Sequence, residues 1–141
     1  MEKDLKQLLL KDLCARLPYD VKGLYYSTVM SLHMVDPFDN YHSLYCVTKS
    51  GSEYIGIDEF KPYLFPMSSM TEEQKEELQK LRWNFDGDDI SNSESYYSEH
   101  TDYVTHFECY SLIDWLNKNH FDYRGLIPMG LAKDATGLNI Y

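Results

Sequence analysis

Residues 20–36, DVKGLYYSTVMSLHMVD, mark the point where the chain changes its period. Before them apolar residues recur every three or four positions; within them the repeat shortens to two. Met30, Leu32 and Met34 alternate with Ser31 and His33, which predicts a half-buried strand with those three on its inner face. Two similar segments follow, SLYCVTK (43–49) and EYIGID (53–58), separated by turn formers. The KSGSE stretch between them predicts a tight hairpin centred on Ser50-Gly51. Four short strands within residues 19–64 predict an antiparallel meander or an SH3-like, partly open barrel.

A sheet of this size needs cover on at least one face. Residues 3–17, KDLKQLLLKDLCARL, supply it: Leu5, Leu8, Leu9, Leu13 and Leu17 form one helical stripe, and Pro18 stops the helix. Lys6, Lys11, Asp12 and Arg16 fall largely elsewhere on the wheel and are expected on its solvated side.

Beyond the sheet, Pro62 and Pro66 predict an extended connector, since each disfavours helix for the residue before it. Thr71 with Gln74 is a capping-box pattern that starts a surface helix over 71–83, and Glu72 and Glu73 favour its N-terminus. Leu78, Leu81 and Phe85 give that helix a thin apolar stripe. An acidic connector is expected over 84–107, then a helix and a packed tail over 108–141. In that helix Cys109, Leu112, Ile113 and Leu116 share a face, with Trp115 beside them. The tail, FDYRGLIPMGLAKDATGLNIY (121–141), is too apolar to stay in water and is expected to pack back on the body or to complete an interface. The expected class is α+β: an N-terminal helix, the sheet, two C-terminal helices and the tail, in one domain spanning 1–141.

Composition narrows the function. The 43% hydrophobic and 15% aromatic content fits a folded chain. Three isolated cysteines, Cys14, Cys46 and Cys109, do not make a disulfide framework and are expected to be small buried hydrophobes. The start MEKDLKQ lacks an apolar signal core, and no run approaches the ~20 apolar residues of a membrane span. A cytoplasmic location without membrane contact is expected. The net charge of −10 opposes nonspecific binding to phosphate backbones. It is concentrated: residues 1–70 hold 7 Lys/Arg and 9 Asp/Glu, residues 71–141 hold 6 and 14.

The densest acidic part runs from Phe85 to Glu108, with seven carboxylates, three tyrosines and no Lys or Arg. Asp86 and Asp88 have the spacing of the first two EF-hand ligands, but Ile90, Ser91 and Tyr97 stand where that loop needs a ligand, a glycine and a bidentate carboxylate. His100, His106 and Glu108 are the remaining metal candidates, and they lack the short ligand spacings of zinc sites. GLIPMGLA (125–132) has the glycine spacing of a phosphate loop, yet Leu131 and Ala132 replace its Lys and Ser/Thr. No nucleophile elbow, paired-histidine zinc helix or dinucleotide fingerprint is present.

These residues point to a non-enzymatic protein-binding accessory module with an unidentified protein partner and no cofactor. Its expected surface is Asp86, Asp88, Asp89, Glu94, Tyr96, Tyr97, Glu99, Asp102 and Tyr103, with mimicry of nucleic acid as the sharpest form. Two alternatives stand beside it. One is a small barrel that binds nucleic acid through Tyr25, Tyr26, Tyr45 or Tyr54; the other is a metal-dependent hydrolase using His100 and His106. The oligomeric state stays open.

Three blocks, KDLCARLPY, KPYLFPMSSMTEEQ and IDWLNKNHFDYRGLIPMGLA, resemble a family of small proteins of anaerobic gut bacteria and their phages or mobile elements. The resemblance implies a cytoplasmic accessory protein and carries over no catalytic residue, ligand or cofactor. Members of that family often have a basic residue where Phe65 stands and a glycine where Asp20 stands, so the resemblance implies no shared basic site near Pro66.

Overall fold

A computed structural model describes residues 2–36, 43–86 and 111–141. The order begins with helix α1 (Lys3–Arg16), followed by β1 (Lys22–Tyr25), β2 (Thr28–Val35), β3 (Ser43–Thr48), β4 (Gly51–Gly56) and β5 (Phe60–Leu64). Helix α2 (Glu72–Asp86), helix α3 over 111–118 and the two-residue strand β6 (Lys133–Asp134) complete it. The fold is α+β, built on one open sheet in the order β4-β3-β2-β1-β5-β6.

β1 to β4 form the expected meander, and each neighbouring pair is antiparallel. The β3–β4 turn falls on Lys49 and Ser50, one residue earlier than expected, because Thr48 pairs directly with Gly51. The Thr48 hydroxyl holds the turn by accepting from the Ser50 N–H at 3.2 Å. β2 also departs from simple alternation. A bulge between Leu32 and Met34 shifts the register, so Met34 turns outward at 43% exposure and Val35 takes the inner position.

The expected connector at Pro62 is a strand. β5 pairs antiparallel with β1, Gly23 opposite Pro62, and parallel with β6. β6 begins pairing only at Tyr63, so Pro62 has a strand on one side alone, where a missing N–H is tolerated. Asp20 closes the 3-10 turn after α1 at φ 57, ψ 66, the conformation that glycine adopts at least cost.

The inner face of the sheet meets α1 and the segment after α3. Leu9 and Leu13 of α1 pack with Met30, Leu32, Leu44, Cys46, Ile55 and Phe60 from the strands, and with Leu126, Leu131 and Ala132 from the tail. Burying each such leucine is worth roughly 1.5–3 kcal/mol. Of the two places open to the tail, Leu126, Leu131 and Ala132 take the core. A smaller cluster of Met70, Leu116 and Phe121, flanked by Phe65, Leu78 and Trp115, joins α2 and α3 to the end of β5. The α2 capping box is present: the Thr71 N–H donates to Gln74 Oε1 at 2.9 Å, and the Gln74 N–H to Thr71 Oγ1 at 3.1 Å. The described face of α2 is largely exposed, as expected of a surface helix.

One close approach fixes how the sheet packs. Gly23 lies under the Phe60 ring, and an added Cβ would overlap three of its ring carbons. Phe60 is 1% exposed and has no room to retreat. Gly23→Ala is expected to cost about 1–3 kcal/mol through overpacking. Chemical denaturation would show it as a lower midpoint at unchanged slope.

Candidate functional site

Two features stand out on this scaffold: a buried ionic network where α1 meets the tail, and an outer sheet face that the described residues leave largely exposed. The network departs most from expectation. Asp12 and Arg16, expected on the solvated side of α1, are both fully buried, because at about 100° per residue they fall between Leu8 and Leu9 on the leucine face. Arg16 Nε donates to Asp12 Oδ2 at 2.7 Å, and Arg16 Nη2 donates to the Phe121 carbonyl at 2.6 Å. Arg124 Nε donates to the other carboxylate oxygen at 3.1 Å. One aspartate thus holds two guanidiniums, and the ring of Tyr123 lies 5.0 Å from Arg16 Cζ and 5.1 Å from Arg124 Cζ.

The network continues into α3. Tyr123 donates its hydroxyl to Asn117 Oδ1 at 2.8 Å, and buried Asn117 donates to the Ala15 carbonyl at 3.4 Å. His120 ends α3 at φ 62, and its ring stacks on Tyr141 with centroids 3.5 Å apart. Burial and the nearby Arg16 charge lower its pKa to about 4, with Lys22 adding to the effect and Asp20 opposing it. The buried Nδ1 of His120 and Nη1 of Arg16 have no hydrogen-bond partner. Tyr141 accepts from the Lys22 N–H at 2.9 Å and lies 2.9 Å from the Tyr63 carbonyl, and burial pushes its pKa up to about 12. This network ties chain segments together by ion pairs and capped carbonyls.

The glycine-spaced loop belongs to the same structural work. Gly125 and Gly130 take φ of 75° and 76°, which supports the turn-forming reading. The amides that a phosphate would need are occupied: buried Asp122 accepts from the N–H groups of Leu126 and Ile127 at 2.8 and 2.9 Å.

The outer sheet face is where side chains remain available. By alternation it carries Leu24, Val29, Ser31, Tyr45, Val47 and Tyr54, with Met34 added by the bulge. Tyr54 is 62%, Met34 43% and Val29 42% exposed. Tyr45 and Tyr54 sit opposite each other with ring centroids 5.0 Å apart. Beside them lies an open groove of about 590 Å³ whose lining includes Lys22, Ser31, His33, Lys49 and the tail residues Asn139 and Ile140 and, among the described residues, no carboxylate. At one end of the sheet, Tyr26 occupies the β1–β2 turn at φ 52, 76% exposed, with its ring 4.6 Å from that of Tyr25.

Of the acidic surface predicted from sequence, Asp86 is the last residue of α2. Asp88, Asp89, Glu94, Tyr96, Tyr97, Glu99, Asp102 and Tyr103 lie outside the described residues, as do His100, His106 and Glu108. Among the described residues no group of three or more His, Cys, Asp or Glu is placed to hold a metal ion. Cys46 is buried as expected, its thiol pushed up to about 12 by burial and by Glu53, whereas Cys14 is exposed; Cys109 lies outside the described residues. The spacing of Cys14 from Leu13 and Leu17 turns it out of the leucine stripe, so the expectation of burial fails there. No helix among the described residues is long and apolar enough to cross a membrane.

No family model matches the chain, and comparison with curated proteins and with solved structures yields no match.

Proposed function

We propose that the chain is a non-enzymatic protein-binding module, a cytoplasmic accessory protein of phage or mobile-element type, whose working surface includes the outer face of the sheet. The observation that carries this reading is the face bearing Tyr54, Met34 and Val29 beside the Tyr45 ring, which the described residues leave exposed. Helix α1 and the tail residues Leu126, Leu131 and Ala132 pack on the other face, while Asn139 and Ile140 reach only the groove at one side of the outer face. An exposed apolar sheet face of this kind marks an interaction surface. Tyr26 adds to the argument. A non-glycine residue at positive φ costs about 1 kcal/mol, and here it presents an aromatic ring to solvent. The acidic, tyrosine-bearing stretch from Asp86 to Tyr103 belongs to the proposal on its sequence alone.

The test is affinity capture of the tagged protein from host lysate with and without nuclease, comparing the wild type with Met34→Glu. A stoichiometric protein partner that survives nuclease and is lost in the variant supports the reading. Retention of that partner by Met34→Glu overturns the role of the face. Tyr26→Asn is expected to raise stability by roughly 0.5–1 kcal/mol, because asparagine tolerates the left-handed turn, while weakening capture.

A second reading rests on the groove. Lys22, Lys49 and His33 beside the Tyr45–Tyr54 pair combine cations with stacking rings, the arrangement that single-stranded nucleic acid uses. Salt-dependent binding of oligonucleotides, lost on Lys49→Glu, would favour it over the first.

A further inference from the structure

The two edges of the sheet differ. β6 offers two residues, too short to template another strand. β4 pairs with β3 over six positions and, among the described residues, has no strand on its other side. The hairpin determines which of its backbone groups face outward. Thr48 and Gly51 flank a two-residue turn and so form a bonded pair. Bonded pairs alternate along an antiparallel ladder, which turns Gly51, Glu53 and Ile55 toward β3. The Asp36 N–H donating to the Ser43 carbonyl at 2.9 Å agrees, since it sets odd-numbered β3 residues toward β2. Ser52, Tyr54 and Gly56 therefore point N–H and C=O away from the sheet. Gly56 is already engaged, its N–H donating to Glu59 Oε2 at 3.4 Å. Ser52 and Tyr54 present the remaining four groups.

We propose that the β4 edge takes up an extended peptide of a partner protein as a seventh strand, with a Lys or Arg of that peptide opposite Glu53. The inference rests on the binding-module reading and specifies the form of the partner. Glu53 is exposed and lies between the two outward-facing residues, its side chain on the same side of the sheet as that of its neighbour Cys46. A second copy is a poor occupant. The antiparallel register that satisfies Ser52 and Tyr54 on both strands sets Glu53 against Glu53, and like charges directly opposite are unfavourable. A basic residue at that place converts repulsion into a cross-strand ion pair. The neighbouring peptide residue emerges on the outer face beside Tyr54, whose ring, backed by Tyr45, forms a wall for an apolar side chain. The partner segment thus pairs one cation with an adjacent apolar residue, and its backbone bonds supply the affinity.

The probe is a soluble seven-residue peptide of alternating valine and threonine with lysine at its centre, compared with the same peptide carrying glutamate there. Binding is followed at millimolar peptide by fluorescence anisotropy and by hydrogen exchange of the Ser52 and Tyr54 amides. The lysine peptide is expected to bind several-fold more tightly and to slow exchange at both amides. Glu53→Lys is expected to reverse the preference. Tyr54→Pro, which removes an outward N–H and leaves the β3 ladder intact, is expected to abolish binding, whereas Tyr54→Val retains it. Equal binding of the two peptides, no protection at either amide, or a preference unchanged by Glu53→Lys overturns the proposal. So does a single-stranded oligonucleotide that protects the same amides while neither peptide does, or a dimer in sedimentation that Tyr54→Pro dissolves. A captured partner lost with Met34→Glu but kept with Tyr54→Pro would sink the edge inference alone. A partner kept by both variants sinks the module surface as well.

Discussion

Asp12→Ala is expected to destabilise the protein by about 3–5 kcal/mol, because it leaves a buried guanidinium without its counterion. Arg124 has a partly exposed side chain and can turn toward water, but that of Arg16 is fully buried. The double variant Asp12→Leu with Arg16→Met is expected to cost less than Asp12→Ala alone. Its remaining penalty is the Phe121 carbonyl, which loses the Arg16 Nη2 donor, on the order of 1–3 kcal/mol. A double-mutant cycle by urea denaturation measures the coupling between the two positions. Additive single and double effects would mean that the pair acts through shape alone.

The second large effect is a pH dependence centred on His120. Its folded pKa of about 4 lies below the ordinary 6.5, so the unfolded chain binds a proton that the folded chain refuses. The corresponding stability is fully present above pH 6.5 and is lost as pH falls toward 4, roughly 3 kcal/mol across that window. His120→Asn accommodates the positive φ and removes the titration. The difference in stability between wild type and variant should therefore slope with pH between 6.5 and 4 and be flat above that range. Carboxylates titrate in both proteins and cancel in the difference. A flat difference throughout would place the ring of His120 in water.

The parts of this fold that were legible in the sequence are those set by local rules. The leucine spacing of α1, the alternation of β1 to β4, the Thr71–Gln74 cap and the apolar tail each have a cause within a few residues. The errors have other origins. Asp12 and Arg16 fall on the helical wheel between Leu8 and Leu9, so their burial was legible in the leucine spacing itself; what the spacing hid were their partners, the Phe121 carbonyl and Arg124, more than a hundred residues away. Pro62 argued against a strand because the pairing of β6, which stops short of it, was invisible. Met34 followed the alternation until a bulge, invisible to a period count, reversed it. The exposed tyrosines of the sheet were singled out by composition, whereas the outward-facing groups of Ser52 and Tyr54 followed only from the register.

The Arg16–Phe121 bond and the Lys22–Tyr141 contact join the two ends of the chain across separations of 105 and 119 residues. During synthesis at ~5–20 residues per second, α1 emerges several seconds before any residue that completes its ionic network. Throughout that interval its leucine stripe has only a growing sheet to rest on, and Arg16 must stay hydrated. Such long-range closure slows folding relative to a local bundle. The nascent chain is therefore exposed to chaperones and wrong partners until residues 121–124 have been made.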